Sequence, residues 1–325
     1  MFLEILLKIL PLFLGILVGF ICSYWNRFRN AEPAISAFVF FIALPCLLFF
    51  LTAKADLSHG IPGAVLASIL VGTLVYWALI GLVFWLTNGR NLNIALSSSM
   101  GGAFGNVAYL GIPVVMGVLG PAGYLPAIII QLVHNVIFMV GYPLIHGVMS
   151  PQGSGSKVRQ FGRALRDSLL KNPIMWAVLL GFVVNFVGWP QDGAIMEFAD
   201  LMSAAASPAA LFAVGLGLRP SFQAIRGGQL KILPVGFATV AKLVILPAIT
   251  FLALLTVGQS LFTMNGGKEW IFAILIMAGM PTAGTAFVLA TAAKGDANLV
   301  AATILGTNIF AALTLPLLAT LALSQ

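Results

Sequence analysis

The chain has 325 residues, of which 60% are hydrophobic and 8% charged, and a net charge of +7. A soluble domain carries roughly 25% charged residues, so almost all of this chain must lie in lipid or against other apolar helices. The basic balance invites a nucleic-acid reading, but the basic residues sit between apolar runs, where they report membrane topology instead.

Apolar runs of about 20 residues, each enough to cross a hydrocarbon core about 30 Å thick, fall in chain order at 2–22, 35–53, 61–87, 93–119 and 122–149. A second set falls at 172–189, 196–218, 230–257, 269–293 and 296–323. They predict an all-α membrane protein of ten transmembrane helices, five in 1–149 and five in 172–325. A linker at 150–171, rich in Gly, Ser and Arg, joins the halves. The first run has no basic segment before it and no small-residue cleavage site after it, so it reads as a membrane helix and not a signal peptide. Cys22 and Cys46 fall inside predicted spans and read as packing residues.

If the helices alternate, the loops after odd-numbered spans share one face. They hold Arg27, Arg29, Arg90, Lys157, Arg159, Arg163, Arg166, Lys171, Arg219, Arg226, Lys231 and Lys294, against Lys54 and Lys268 on the other face. That asymmetry places the odd loops in the cytoplasm and both termini outside.

The second half echoes the first. Pro11, Gly19 and Phe20 recur as Pro173, Gly181 and Phe182; Pro45, Leu48 and Phe49 as Pro208, Leu211 and Phe212; Asn135 and Pro143 as Asn308 and Pro316. An odd number of spans per half inverts the second copy, and inverted repeats are a signature of secondary transporters.

Two spans read as interrupted. The fourth carries Gly101-Gly102-Ala103-Phe104-Gly105-Asn106 and then Gly111-Ile112-Pro113; the ninth carries Ala278-Gly279-Met280-Pro281-Thr282-Ala283-Gly284-Thr285. Glycine costs a helix interior about 1 kcal/mol and proline about 3. In lipid such breaks are tolerated only where protein or a water-filled cavity surrounds them. Matched breaks in two repeats are the best sequence pointer to a transporter's site. The second half of a broken helix starts with unpaired N–H groups and a partial positive charge, which favour an anion. The expected cargo is therefore anionic, or the ends partly substitute for a cation; an organic carboxylate fits the first option, with Asn106 as a contact.

Intramembrane polar residues complete the candidate set. Lys242 lies deep in the eighth span. It reads as a fixed cation, a titrating group, a structural lysine bonded to broken-helix carbonyls, or a snorkelling side chain. Gln131, His134 and Asn135 share one face of the fifth span, and Asn308 is the repeat mate of Asn135, beside Thr303 and Thr307. His134 reads as a proton carrier or as a hydrogen-bonded packing residue. No His-Glu-x-x-His, P-loop or Cys/His cluster points to an enzyme, a metal or a cofactor.

The segments Gly105 to Pro113, Lys242 to Pro247 and Pro281 to Ala290 resemble the auxin efflux carrier family. That family includes plant PIN carriers and bacterial permeases described as malate or malonate carriers. The resemblance covers essentially the whole chain, and the compact linker is similar to bacterial members. It implies a fold like bile acid symporters and sodium/proton antiporters. Spans 1, 2, 6 and 7 would form a dimerising scaffold. Spans 3–5 and 8–10 would form a transport domain that moves like an elevator around crossed spans four and nine. By position, Asn106 and Pro113 correspond to the first crossover and Pro281 to the second. The expected substrate contacts are Asn106, Gly111, Pro113, Gln131, Asn135, Pro281, Thr282, Thr285 and Asn308, with Lys242 and His134 in charge or coupling roles. A cation exchanger of the same architecture and a pore or membrane sensor are the rival expectations. The expected setting is a bacterial inner membrane, with a lipid surround and a second copy of the chain as partners.

Overall fold

The structure, a computed structural model, describes residues 2–28, 30–58, 60–142, 145–146, 172–190, 192–226, 232–292 and 295–324. The predicted linker at 150–171 lies outside them, as do Arg29, Pro143, Lys231 and Lys294. Among the described residues the regular elements are helices. They are α1 (Phe2–Cys22), α2 (Glu32–Ala53), α3 (Gly63–Thr87), α4 (Leu92–Ala103), α5 (Ile112–Leu119), α6 (Tyr124–Asn135), α7 (Pro173–Phe186), α8 (Ala194–Arg226), α9 (Ile232–Thr256), α10 (Gly267–Ala278), α11 (Thr285–Ala292) and α12 (Ala297–Leu323). Among the described residues seven stretches are long and apolar enough to cross a membrane: α1, α2, α3, Val107–Gly141, the Ala194–Arg219 part of α8, α9 and α12. α7 is apolar but shorter.

Val107–Gly141 is not one span. A straight helix would hold residues 105 and 134 on the order of 40 Å apart, yet the Gly105 N–H donates to His134 Nε2 at 3.1 Å. The Phe104 and Phe138 rings stack with centroids 4.9 Å apart. The chain therefore doubles back, and it does so at the 3₁₀ turn Gly120–Gly123, where Gly120 takes a positive φ of 62°.

Some prolines within the spans are preceded by a widened turn, while Pro11 and Pro316 sit in unbroken α-helix. Wide π turns occupy Val39–Ala43, Val107–Gly111, Val136–Gly141 and Ala241–Ile245. Each ends two residues before a proline: Pro45, Pro113, Pro143 and Pro247. A helical proline lacks an N–H and its ring clashes with the carbonyl four residues back. One widened turn moves that carbonyl aside without ending the helix.

Small residues decide the closest packing, as expected where lipid removes the usual apolar driving force between helices. α1 lies along α8 with Gly19 facing the Phe212 carbonyl and Gly215 facing the Ile16 carbonyl. α7 lies along the second half of α2, where a Cβ on Gly181 would sit 2.8 Å from the Phe49 carbonyl and 2.7 Å from Thr52 Cβ. These are one contact made twice with the sequence mates exchanged: Gly19 on Phe212, and Gly181 on Phe49. Asn185 of α7 anchors the same seam by donating to the carbonyls of Thr52, Ala53 and Ala55, the last two at 2.9 Å. α3 packs on α4 and on the second half of α9, while α12 touches α1, α8, α9 and α10.

Gly181→Leu should therefore push α7 off α2, since overpacking costs about 1–3 kcal/mol even among yielding side chains and this contact is backbone. The expected result is loss of the monodisperse peak after detergent extraction. Gly236→Leu, at a glycine with open space around it, should elute as the parent does. Equal behaviour of the two variants would refute the packing role.

Candidate functional site

The fourth predicted span breaks between α4 and the turn at Val107, at Phe104–Asn106, and the ninth between α10 and α11. The two breaks are hydrogen-bonded to each other. Asn106 N–H donates to Pro281 O at 2.7 Å, and Ala283 N–H donates to Phe104 O at 2.9 Å, with Gly105 and Thr282 paired antiparallel between them. Each break thus supplies the backbone partners that the other's missing helical turn lacks, as burial in an apolar medium demands. Thr282 strengthens the join: its hydroxyl donates to Gly101 O at 2.9 Å and its N–H to Thr307 Oγ1 at 3.0 Å.

Lys242 sits behind this join, 0% exposed. Its Nζ donates to Ala278 O at 3.0 Å and to Ala103 O at 3.4 Å. Those are the last residues of α10 and α4, so one ammonium is shared between two helix C-termini, each equivalent to about half a negative charge. Gly105 makes room for it: a Cβ there would lie 3.1 Å from Nζ. This geometry has the lysine bonded to broken-helix carbonyls and buried, so it does not snorkel. Lys242 also lines, with His134, Thr73 and Thr250, a small cavity of about 20 Å³, room for about one water.

On the other side of the join lies a cavity of about 540 Å³. Asn106, Gln131, Asn135 and Thr285 border it, so four of the sequence-predicted residues come together there. Asn106 caps the turn that restarts the helix, its Oδ1 accepting from Tyr109 N at 3.3 Å. That leaves Asn106 Nδ2 without a partner among the described residues, although the residue is only 4% exposed. Gln131 is 1% exposed, and among the described residues neither its Oε1 nor its Nε2 has a partner. An unmet buried amide is costly, and both residues border the cavity.

Other predicted residues lie elsewhere. Pro113 stands inside the restarted helix, seven residues past the last residue of the break, and Gly111 closes the wide turn before it. Pro281 and Thr282 serve the join itself. His134 points its Nε2 at the Gly105 N–H with its ring against Phe104 and Phe138; with that nitrogen accepting, the neutral ring carries its proton on Nδ1. Asn308 donates to Ile304 O at 2.8 Å and keeps an unpartnered Oδ1, but it does not border the large cavity. Sequence reasoning missed Glu32, Ser36, Tyr109, Asn172 and Asn298 on the cavity wall. Glu32 and Asn172 head α2 and α7, where an acid in the first turn and an Asn cap carry purely local explanations.

The sequence pattern of the family described as membrane transport protein matches residues 4–319. The chain belongs to that family. The transporter is 25% identical over 293 residues, covering 88% of this chain and 86% of the relative, to a Rhizobium meliloti protein whose name proposes malonate as its cargo. It is 27% identical over 323 residues to an uncharacterized transporter of Methanothermobacter thermautotrophicus, covering 97% and 96% of the two chains. A Methanocaldococcus jannaschii uncharacterized transporter is 25% identical over 322 residues, covering 93% and 94%. Family membership makes this chain a membrane transport protein and not an enzyme.

Proposed function

We propose that the transporter is a secondary carrier that moves a small organic anion across a bacterial inner membrane by elevator-type alternating access. The observation that carries this reading is the join of the two breaks, with the unpartnered amides of Asn106 and Gln131 on the cavity beside it. Lys242 answers the negative ends of α4 and α10, while the restarted halves begin on the cavity wall, at Asn106 to Tyr109 and at Ala283 to Thr285, with their N–H groups and partial positive charge. A carboxylate there would gain those N–H groups and two amide donors. Phe40, Leu44, Phe104, Met139, Phe287 and Ile304 supply much of the remaining wall, which suits a carboxylate bearing an apolar body as well as a compact one such as malonate.

In this reading the ten spans form two inverted five-helix repeats, supported by the exchanged contacts of Gly19 with Phe212 and Gly181 with Phe49. α1, α2, α7 and α8 form the scaffold that pairs two copies, and the remaining helices form the moving body. Glu32 and Asn172 head α2 and α7, each following a loop of the basic face, so in this reading the cavity opens toward the cytoplasm with both termini outside. The test is counterflow in liposomes loaded with malonate, malate, phenylacetate or indole-3-acetate, with and without sodium. Saturable exchange of one anion is expected. Folded protein that exchanges none of them, or that conducts without saturation, would overturn the carrier reading; strict sodium dependence would favour an ion-coupled exchanger.

A further inference from the structure

Among the described residues, Glu32 is the one charged side chain on the wall of the large cavity. Ser36 donates to its Oε1 at 2.7 Å, and Oε2 has no partner among the described residues. α8 sets Gly217 beside it, where a Cβ would lie 3.8 Å from Glu32 Cγ, so no side chain from that position covers the carboxylate. The two described arginines nearest in the fold do not border the cavity. Arg27 is exposed in the connection leading into α2. Arg219 of α8 donates from Nη1 to Ser23 O at 2.6 Å, with its guanidinium 5.1 Å from the centre of the Tyr24 ring.

The wall therefore has two parts of opposite character. Helices restart at Asn106 to Tyr109 and at Ala283 to Thr285, where N–H groups favour a carboxylate, and the buried amides of Asn106 and Gln131 stand unpartnered there. Glu32 lies within electrostatic range of Tyr109, on the first of these restarts, so one small molecule can feel both parts. A plain carboxylate at the restarts is repelled by Glu32: two like charges roughly 10 Å apart at an effective dielectric near 20 lower affinity about tenfold. An ammonium on the same cargo turns that repulsion into attraction. We propose that the cavity takes an aminocarboxylate, its carboxylate at the restarted helices and the amides of Asn106 and Gln131, its ammonium at Glu32. Ser36 steadies the Glu32 carboxylate through Oε1 and leaves Oε2 for the ammonium. Phe40, Leu44 and Phe287 on the wall give an apolar side chain of the cargo a place to lie. The proposal rests on the anion-carrier reading and names the cargo class of that same site. Because selectivity is a difference of two affinities, it is tested by a ratio, and the carrier reading by whether any carboxylate binds.

The experiment uses the purified full-length chain in detergent at about pH 7, where an amino acid carries both charges. Calorimetric binding compares pairs that differ only in the ammonium: phenylalanine with 3-phenylpropanoate, and 4-aminobutyrate with butyrate. In wild type the amino member of at least one pair is expected to bind roughly tenfold more tightly than its partner. Glu32→Gln, whose amide oxygen still accepts from Ser36, should lose that preference and bind the plain acids more tightly. Glu32→Asp should keep the preference. Plain acids that bind wild type as tightly as their amino partners, or a preference that Glu32→Gln retains, would refute the aminocarboxylate assignment and leave the anion reading standing. The wild-type ratio decides even if neither variant folds. If no acid of either kind binds folded wild type, the anion reading falls and takes this assignment with it. Phenethylammonium binding as tightly as phenylalanine would leave the carboxylate without a role and overturn both.

Discussion

Asn106→Asp should fold as the parent does and lose anion transport. Asn106 does two things with one amide. Its Oδ1 caps the restarted helix through Tyr109 N, while Nδ2 stands unpartnered at the cavity. Aspartate is as good a cap as asparagine, and a negative charge suits a helix N-terminus, so stability is retained or slightly raised. At the cavity a donor becomes an anionic acceptor. The lost charge-assisted hydrogen bond amounts to about 1.5–3 kcal/mol, and repulsion between like charges adds to it, so counterflow should fall at least about 100-fold. Thermal unfolding measured beside counterflow separates the two jobs. Transport within a few-fold of wild type would remove Asn106 from the binding site; a large drop in unfolding temperature would mean that the cap depends on more than the retained oxygen.

The second large effect falls on stability. Lys242→Met keeps the length and apolar stem of the side chain but removes the ammonium shared by Ala103 O and Ala278 O. Two buried carbonyls then lose a donor, at about 1–3 kcal/mol each, and two negative helix ends face each other without a cation between them. The expected result is an unfolding temperature lower by roughly 5–10 °C together with loss of counterflow, because the join between the breaks rests on α4 and α10 keeping their places. A Lys242→Met protein with wild-type unfolding and no transport would instead mean that the charge acts on the transport cycle and not on the fold.

Much of this was legible one residue at a time. Hydropathy alone marks the apolar stretches that α1, α2, α3, α9 and α12 occupy, because a long apolar helix in lipid needs nothing from its neighbours to satisfy its backbone. The wide turns before Pro45, Pro113 and Pro247 accommodate proline's missing N–H and its ring, but Pro11 and Pro316 sit in unbroken α-helix, so the residue type alone does not place them. Glycine and proline clusters likewise mark the two interruptions, and Asn106 stands out as a capping residue type inside an apolar run.

What the sequence could not place is whatever depends on a partner far along the chain. The interrupted segment Gly101 to Pro113 leaves the breaking point open; the helix stops at Phe104–Asn106, since the hydrogen bonds that replace the missing turn come from Pro281 and Ala283. Lys242 announces that it needs a polar partner but not that the partner is a pair of helix ends from the two halves of the chain. Gln131 and Asn308 look alike as buried amides in apolar spans; only packing turns the first to the cavity and the second to its own helix. Glu32 reads as an ordinary first-turn acid until the fold sets it on the cavity wall. Sequence by itself determined where helices can exist, because that balance of propensity, backbone satisfaction and lipid burial is local. Tertiary structure decided where they break, which polar atoms are left unmet and what those atoms face, because in a solvent without hydrogen-bond donors or acceptors those choices belong to whichever distant segment arrives to satisfy them.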